Sequence, residues 1–311
     1  MTRDIIFELP SPYRNTMTVH GYRFGKGDKS VCIVGAMRGN EVQQLYVCSQ
    51  LVKTLEHLES RGLIVKNNEI LVIPSINHYS MNTGKRFWAL DNSDINRMYP
   101  GYDKGETTQR IAAGVFEKVK GYRYGIQLAS FYMPGDFIPH VRMMETGYQS
   151  SSLANLFGLP YVIIRKPRPY DTGTLNYNWQ LWDTNAFSIY TNETDHIDEN
   201  SAKTAVISIL RFLSRMGIVK YHCHAGYMAS IIGEDELRSV NSPCSGIFRR
   251  LKNPGDEIGY GEPVAEILHP LEGYVMEELR APCDGILFFA HSAPLINEHT
   301  LAFRIIGRLH G

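Results

Sequence analysis

Hydrophobic and polar positions follow two different periods along the first two-thirds of the chain. Short apolar runs at 30–36 and 69–77 predict buried strands. Between them, apolar residues recur at helical spacing through 40–61, and Gly62 ends that pattern. This alternation predicts an α/β sheet with helices on both faces. The remaining segments of this part are predicted as helices at 106–120 and 199–217 and as strands at 124–130, 160–166 and 186–191.

The pattern changes in the last third of the chain. Short β-rich runs are separated there by turn signals, and no helical period is present. The segments 242–248 and 281–287 repeat the pattern small-Pro-Cys-x-Gly-Ile, offset by 39 residues. Two related hairpin units in one small barrel or sandwich would produce such a repeat. We therefore predict an α/β domain at 1–220 and an all-β domain at 221–311.

Composition and charge exclude several classes of partner. The chain of 311 residues has 32 basic and 32 acidic residues, so no net field attracts nucleic acid or an anionic membrane. No apolar run approaches the roughly 20 residues of a membrane span, and the N-terminus does not have the pattern of a secretory signal. The five cysteines are an odd number without a Cys-x-x-Cys spacing, which favours a reducing compartment. We expect a cytoplasmic protein without nucleic-acid or membrane partners.

Several motifs occur in the order and spacing of one enzyme family. They are GAMRGNE, the long segment at 73–101, YGIQLAS, AFSIY and the repeated Pro-Cys-x-Gly-Ile. Together they resemble the succinylglutamate desuccinylase/aspartoacylase family of the zinc carboxypeptidase group. The most specific piece is DINRMYPG at 94–101, which is similar to the family's Asp-Leu-Asn-Arg-x-Phe-Pro-Gly. The resemblance implies a zinc-carboxypeptidase-like mixed sheet flanked by helices, followed by a small all-β domain.

The resemblance also implies a particular chemistry. In the family, a His-x-x-Glu loop and a second histidine hold zinc and leave one coordination position open for water, which the metal acidifies. A further glutamate takes the proton from that water. An Asn-Arg pair orients the substrate carboxylate, a task that suits the planar guanidinium group.

The zinc positions of the family are largely altered in this chain. Arg38 stands in the position of the first histidine, and Glu41 keeps the glutamate. The strand that carries the second histidine has Gln127 and Ala129 in place of aspartate and histidine. One carboxylate cannot hold zinc in a protein site, so Glu41 is the only family ligand retained and ordinary zinc hydrolysis is not expected.

The other functional positions are a mixture of altered and retained residues. The AFSIY strand puts Tyr190 in the position of the catalytic glutamate, whereas a shifted alignment would offer Glu193 instead. Asn96, Arg97 and Arg86 stand where the family binds its substrate. Recognition of a small carboxylate is therefore better preserved than the metal site. The less favoured alternative is that the Asp and Asn side chains of DINRMYPG only stabilise a turn.

The arginine in the first ligand position has a physical interpretation. Arg38 and Glu41 lie three residues apart at a predicted strand-to-helix turn, so they could form an ion pair. The guanidinium would then supply the positive charge that the zinc supplies in the family, and would bind substrate together with Arg86. A fixed cation can polarise a carbonyl group but cannot make hydroxide from water. The structural alternative is a salt bridge that only stabilises the helix start.

Histidines elsewhere in the sequence could rebuild a metal site. His140 follows the altered YGIQLAS strand and is the candidate for a relocated ligand near Glu41. The His-x-His pair of His222 and His224 is a weaker candidate, because it lies beyond the last predicted helix. A histidine that binds no metal is the alternative for each. We therefore expect no cofactor, with zinc only if the site is rebuilt.

Two functions are consistent with the sequence. The first is a divergent amidohydrolase that acts on an N-acyl amino acid or a similar small carboxylate, with Tyr190, Glu193 or Glu41 as acid or base. The second is a catalytically inactive relative that binds a small carboxylate or a partner protein. We favour the enzyme, because so many polar groups are costly to bury without a function. Relatives with this fold are often dimeric, so the resemblance also allows a homo-oligomer.

Overall fold

The chain divides into two compact units. The computed structural model describes residues 1–12, 15–192 and 194–308. Unit 1 consists of Met1–Ser130 and Pro139–Ile231, and unit 2 consists of Phe131–Ile138 and the chain from Ile232 onward. The predicted division after residue 220 differs from this one, chiefly because a short segment inside the first part belongs to unit 2.

A mixed sheet forms the framework of unit 1, with strand order β1-β2-β4-β8-β6-β7-β9 and β3 paired to β2. The pairs β3–β2, β2–β4 and β4–β8 are parallel, whereas β6 runs antiparallel to β8. In chain order the strands are β1 (Thr2–Leu9), β2 (Met17–Ala36), β3 (Asn67–Ser75), β4 (Tyr124–Ala129), β5 (Gly135–Phe137, in unit 2), β6 (His140–Met144), β7 (Tyr161–Arg165), β8 (Asn185–Tyr190) and β9 (Ser230–Gly233).

Helices cover both faces of this sheet, as predicted. One core cluster joins the sheet to α1 and α6, and the other joins it to α3 and α5. Side chains of a strand alternate between the two clusters, so that Ile33 belongs to the first and Val34 to the second. The helices are α1 (Val42–Ser60), α2 (His78–Met81), α3 (Thr107–Val119), α4 (Ser151–Asn155), α5 (Leu175–Leu181) and α6 (Glu199–Arg215).

Local capping explains where the long helices begin. At α3 the side-chain oxygen of Gln109 accepts a hydrogen bond from the backbone N–H of Glu106 at 3.1 Å, which is one half of a capping box. At α6 the Asp198 carboxylate accepts hydrogen bonds from the backbone N–H groups of Asn200 and Ser201. Among the residues that the structure describes, no helix combines the length and apolar character of a transmembrane span.

Unit 2 contains two antiparallel sheets whose inner faces share one core. The two copies of the sequence repeat lead into β11 and β15, which lie in different sheets. The segment that sequence analysis placed in the first domain enters this unit because β5 pairs with β15. The predicted α/β part followed by an all-β part is therefore confirmed. The remaining strands are β10 (Arg238–Asn241), β11 (Gly246–Arg250), β12 (Glu257–Ile258), β13 (Pro263–Leu268), β14 (Val275–Arg280), β15 (Gly285–His291), β16 (Leu295–Ile296) and β17 (Leu301–Gly307).

Candidate functional site

The loop between β2 and α1 holds a buried carboxylate. Glu41 is 1% exposed, and its Oε2 accepts hydrogen bonds from the backbone N–H groups of Met37 (2.7 Å) and Arg38 (3.0 Å). Its Oε1 accepts a hydrogen bond from the hydroxyl of Ser130, which follows β4. Both carboxylate oxygens are thus occupied by donors of the protein, as a buried charge requires.

Arg38 lies between two carboxylates. The predicted ion pair is present, with Nη1 of Arg38 3.1 Å from Oε1 of Glu41. A second pair, which sequence analysis did not find, joins Nη2 of Arg38 to Oδ2 of Asp94 at 2.8 Å. Burial disfavours the charge on Arg38, but the two carboxylates outweigh it and raise the pKa of the guanidinium. Arg38 is therefore a permanent cation, held in place by Glu41 and Asp94.

Asp94 directly precedes a short 3-10 helix over Ile95–Arg97, and this helix positions its side chain. Its carboxylate accepts the backbone N–H of Asn96 at 3.0 Å and so caps that helix. The Nε atom of Arg97 lies 3.9 Å from the same carboxylate. The first residue of DINRMYPG therefore connects two arginines, a role that the motif itself does not reveal.

Arg86 approaches the same cluster through a tight contact between two loops. The N–H of Gly39 donates to the carbonyl of Arg86 at 2.8 Å, and a Cβ atom at Gly39 would lie only 2.1 Å from the carbonyl oxygen of Lys85. The Arg86 guanidinium donates to Asn40 at 3.1 Å and to Ser130 at 3.4 Å. Burial, followed by the charge of Arg38, lowers the pKa of Arg86. Ser130 joins Arg86 to Glu41 and is a site residue that sequence analysis missed.

Asn96 and Arg97 make contacts that position other elements. The Asn96 side-chain oxygen accepts the N–H of Leu175 at 3.3 Å, at the start of α5. Arg97 donates to Asp171 at 3.1 Å and to the carbonyl of Tyr170 at 2.6 Å. Their predicted part in substrate binding stays a prediction.

Three strand ends form a row at the other side of the site. Ala129 of β4 pairs with Tyr190 of β8, which pairs in turn with His140 of β6. The rings of Tyr190 and His140 are stacked, with their centroids 4.9 Å apart and an angle of 9° between their planes. Arg142 donates to the Tyr190 hydroxyl at 3.5 Å. Ala129 thus lies beside an aromatic stack, and its assignment to the position of the second histidine stays a prediction.

A second polar row lies two residues further into the same strands. Gln127 pairs with Ser188, and Ser188 pairs with Arg142. All three are at most 9% exposed. The Asn176 amide of α5 donates to the Ser188 hydroxyl at 3.1 Å. Side chains alternate between the two faces of a strand, so residues two positions apart point to the same face of the sheet. This row therefore lies on the same face as the row that contains Tyr190, and it makes this part of the face polar.

The residues of this site do not fit a zinc ion. Arg38 and Ala129 offer no ligand atom, and hydrogen bonds occupy both oxygens of Glu41. Within the described part of the chain, no group of three or more His, Cys, Asp and Glu side chains could hold a metal. The proposed pairing of Glu41 with a relocated His140 therefore lacks a third ligand there, and the alternative base Glu193 lies outside the described residues.

Comparison with known proteins identifies the family. Residues 27–213 match the model of the succinylglutamate desuccinylase/aspartoacylase catalytic domain. Among curated proteins no match is found.

Solved structures share the fold. A succinylglutamate desuccinylase from Silicibacter sp. TM1040 has a TM-score of 0.83 and 17% identity, with 98% of this chain and 94% of that one covered. The product-bound ectoine utilization protein EutE (DoeB) from Ruegeria pomeroyi has a TM-score of 0.81 and 16% identity, with 98% and 94% covered. An aspartoacylase family protein from Mesorhizobium loti has a TM-score of 0.75 and 20% identity, with 93% and 90% covered. The family model covers more than half of the chain, and this chain therefore belongs to the succinylglutamate desuccinylase/aspartoacylase family.

Proposed function

We propose that the protein is a divergent deacylase-type amidohydrolase that acts on an N-acyl amino acid, or a similar small carboxylate, without zinc. The observation that carries this proposal is the buried guanidinium of Arg38, held between Glu41 and Asp94 in the position of a zinc ligand. The family and the fold support a deacylase-type reaction, and the fixed cation supports a version of it that uses no metal.

Arg38 retains donors for a ligand. A guanidinium group has five N–H bonds. The side-chain hydrogen bonds of Arg38 to Glu41 and Asp94 use one N–H each on Nε, Nη1 and Nη2. One N–H on each terminal nitrogen therefore remains, as far as the described residues go. These two donors can bind the oxygen of an amide carbonyl and stabilise the negative charge that develops on it when water attacks.

Tyr190 is the proposed acid–base group. In hydrolysis, water attacks the amide carbon, the C–N bond breaks, and the proton that water loses ends on the departing amine. The Tyr190 hydroxyl is hydrogen-bonded to Arg142 and its ring is stacked on His140, so its position is fixed. The phenol can give its own proton to the departing amine, and the phenolate that is left can take the proton that water loses. Glu193 stays the alternative for this task.

The substrate carboxylate is assigned to Arg86 and Arg97. Arg97 has a third of its side chain exposed, which leaves part of its guanidinium accessible beyond the contact with Asp171. Arg86 is close enough to Arg38, Glu41, Asp94 and Tyr190 for their charges to influence its pKa. We also propose a cytoplasmic location, because the five cysteines are free.

The second candidate function is ligand binding without turnover. The observation that favours it is the complete occupation of Glu41, since a carboxylate whose oxygens already accept hydrogen bonds is a poor general base. In this case Arg38 would bind the ligand but no group would activate water.

Binding and turnover measured on the same metal-free protein separate the two candidates. Calorimetry with N-succinylglutamate and N-acetylaspartate measures binding, and amine release measures hydrolysis. We expect Arg38→Gln to weaken binding at least tenfold, and Tyr190→Phe to abolish amine release while binding persists. Exposed residues supply the matched controls Arg61→Gln and Tyr148→Phe, which should change neither. Binding without amine release would establish the second candidate, and an absence of binding to any N-acyl amino acid would exclude both.

A further inference from the structure

A cavity of unit 1 has no residue in common with the Arg38 cluster. Its volume is about 420 Å³. It lies between the loop that follows DINRMYPG, the outer surface of α3 and Trp182 at the end of α5. The proposed amidohydrolase function makes no use of it.

Aromatic side chains form much of its lining. Tyr102 is 56% exposed and Trp182 is 50% exposed, which is high for such large apolar groups. Phe116 packs edge-to-face against Trp182, with the ring centroids 5.5 Å apart and an angle of 84° between the planes. The indole is therefore held in place from one side while half of its surface stays available.

Acidic groups accompany these rings. The carboxylates of Asp103 and Glu117 line the same cavity. The chain itself already brings a cation to this environment: the Lys120 ammonium lies 5.4 Å from the centroid of Trp182 and 2.6 Å from Glu117. An aromatic face next to a carboxylate is the combination that attracts organic cations.

The cavity is built on closely packed backbone. A Cβ atom at Gly101 would lie 2.1 Å from the backbone nitrogen of Ala113, so the loop rests directly on α3. Gly101 also has a φ of 93°, a conformation that favours glycine. The positions of Tyr102 and Asp103 are thus fixed by the contact of this loop with the helix.

We propose that the cavity lined by Tyr102, Trp182, Asp103 and Glu117 binds an organic cation of the alkylammonium or guanidinium class. The ligand displaces the Lys120 ammonium from Trp182 and Glu117, so that the bound cation lies against the aromatic rings and the carboxylates balance its charge. Such a group is carried by free small molecules and by the side chains of methylated lysine and arginine, and the two sources share the same chemistry.

The test compares a cation with an uncharged probe of similar size. Tetramethylammonium is titrated into the full-length protein while Trp fluorescence and calorimetric heat are recorded, and neopentyl alcohol serves as the uncharged probe. We expect saturable binding of the cation and at least fivefold weaker binding of the alcohol. Tyr102→Ala and Glu117→Gln should each weaken binding of the cation several-fold, whereas Tyr148→Ala, at another exposed tyrosine, should leave it unchanged. Tyr102 is largely exposed, so its removal should leave the fold intact even if a variant at Trp182 does not fold.

Two results would overturn the proposal. One is an absence of saturable binding at millimolar tetramethylammonium, and the other is equal affinity for the alcohol, which would indicate an apolar site. A second titration, with a peptide containing trimethyllysine, distinguishes the sources. Tighter binding of the peptide than of the free cation indicates a protein partner, and equal or weaker binding indicates a small molecule.

Discussion

Each unit contains an arginine paired with a buried carboxylate, and the two pairs are built differently. In unit 2, Arg250 donates to Asp136 at 2.6 Å, and its side chain is 27% exposed. In unit 1, Arg38 has a side chain only 9% exposed and lies between Glu41 and Asp94. One carboxylate is sufficient for an arginine that still reaches water, whereas the deeply buried arginine has two.

We interpret the Arg250 pair as a contact that stabilises the fold, and Arg38 as a charge that is held in place before a ligand binds. A buried ion pair gains little net stability, because the loss of hydration offsets most of the attraction. Arg38, its two carboxylates and the serine hydroxyl on Glu41 therefore represent more desolvation than packing requires. Such an arrangement is easier to explain as a site that holds a cation ready for a ligand. The Arg250 pair needs no such explanation.

Restoring the family's zinc ligands is expected to have the largest effect, because it replaces the buried cation Arg38 by a metal ligand. The double variant Arg38→His/Ala129→His supplies two imidazoles next to Glu41, which is the ligand set of a zinc site with an open position. We expect no zinc in the unaltered protein and close to one zinc per chain in the double variant, measured by elemental analysis after purification without chelators or metal resins. Zinc in the unaltered protein would show that the site is rebuilt, with His140 as the first ligand to test. If the double variant took up none, the backbone of the metal site would no longer be intact.

Removal of the two arginines compares the two pairs directly. Arg38→Met leaves Glu41 and Asp94 without their cation, and we expect a loss of about 3–5 kcal/mol in the free energy of unfolding. Arg250→Met leaves only one carboxylate, the buried Asp136, without its cation, so a smaller loss of about 1–3 kcal/mol is expected. Urea unfolding of both variants gives the two values. Equal losses would contradict the difference drawn between the pairs. If Arg38→Met/Glu41→Gln/Asp94→Asn recovers most of the stability, the cost lies in the uncompensated carboxylates.

Local patterns predicted the long helices and the central strands of the sheet, but they missed β1, the first half of β2 and several short elements. The helices α1, α3 and α6 and the strands β4, β7 and β8 all fall where the periods placed them. The strand β6 was missed because the five residues of HVRMM alternate too briefly to be recognised. The helix α5 was missed because it is short and has asparagine and glutamine on its buried side, where Asn176 and Gln180 contact polar groups.

The candidate site shows the same limit. The Arg38–Glu41 pair was predictable because both residues lie within one turn of the chain. The contacts with Asp94 and Ser130 join segments far apart in sequence, and only tertiary packing brings them together. Carrying motif positions over from the family likewise located Tyr190 but could not show that His140 stacks on it.

The smallest expected effect concerns His291, which unit 2 buries close to Arg250. Burial lowers the pKa of His291 from its ordinary value of 6.5, and the charge of Arg250 lowers it further. Below 6.5 the unfolded chain therefore takes up a proton that the folded chain does not, so stability should fall as the pH drops through this range. The fall should disappear in His291→Gln, which carries no titrating group at this position. Arg250→Met should reduce it, because one of the causes of the low pKa is removed. Urea unfolding at pH values above and below 6.5 measures all three proteins. An unchanged fall in His291→Gln would assign the pH dependence to other groups and would remove the electrostatic link between Arg250 and this histidine.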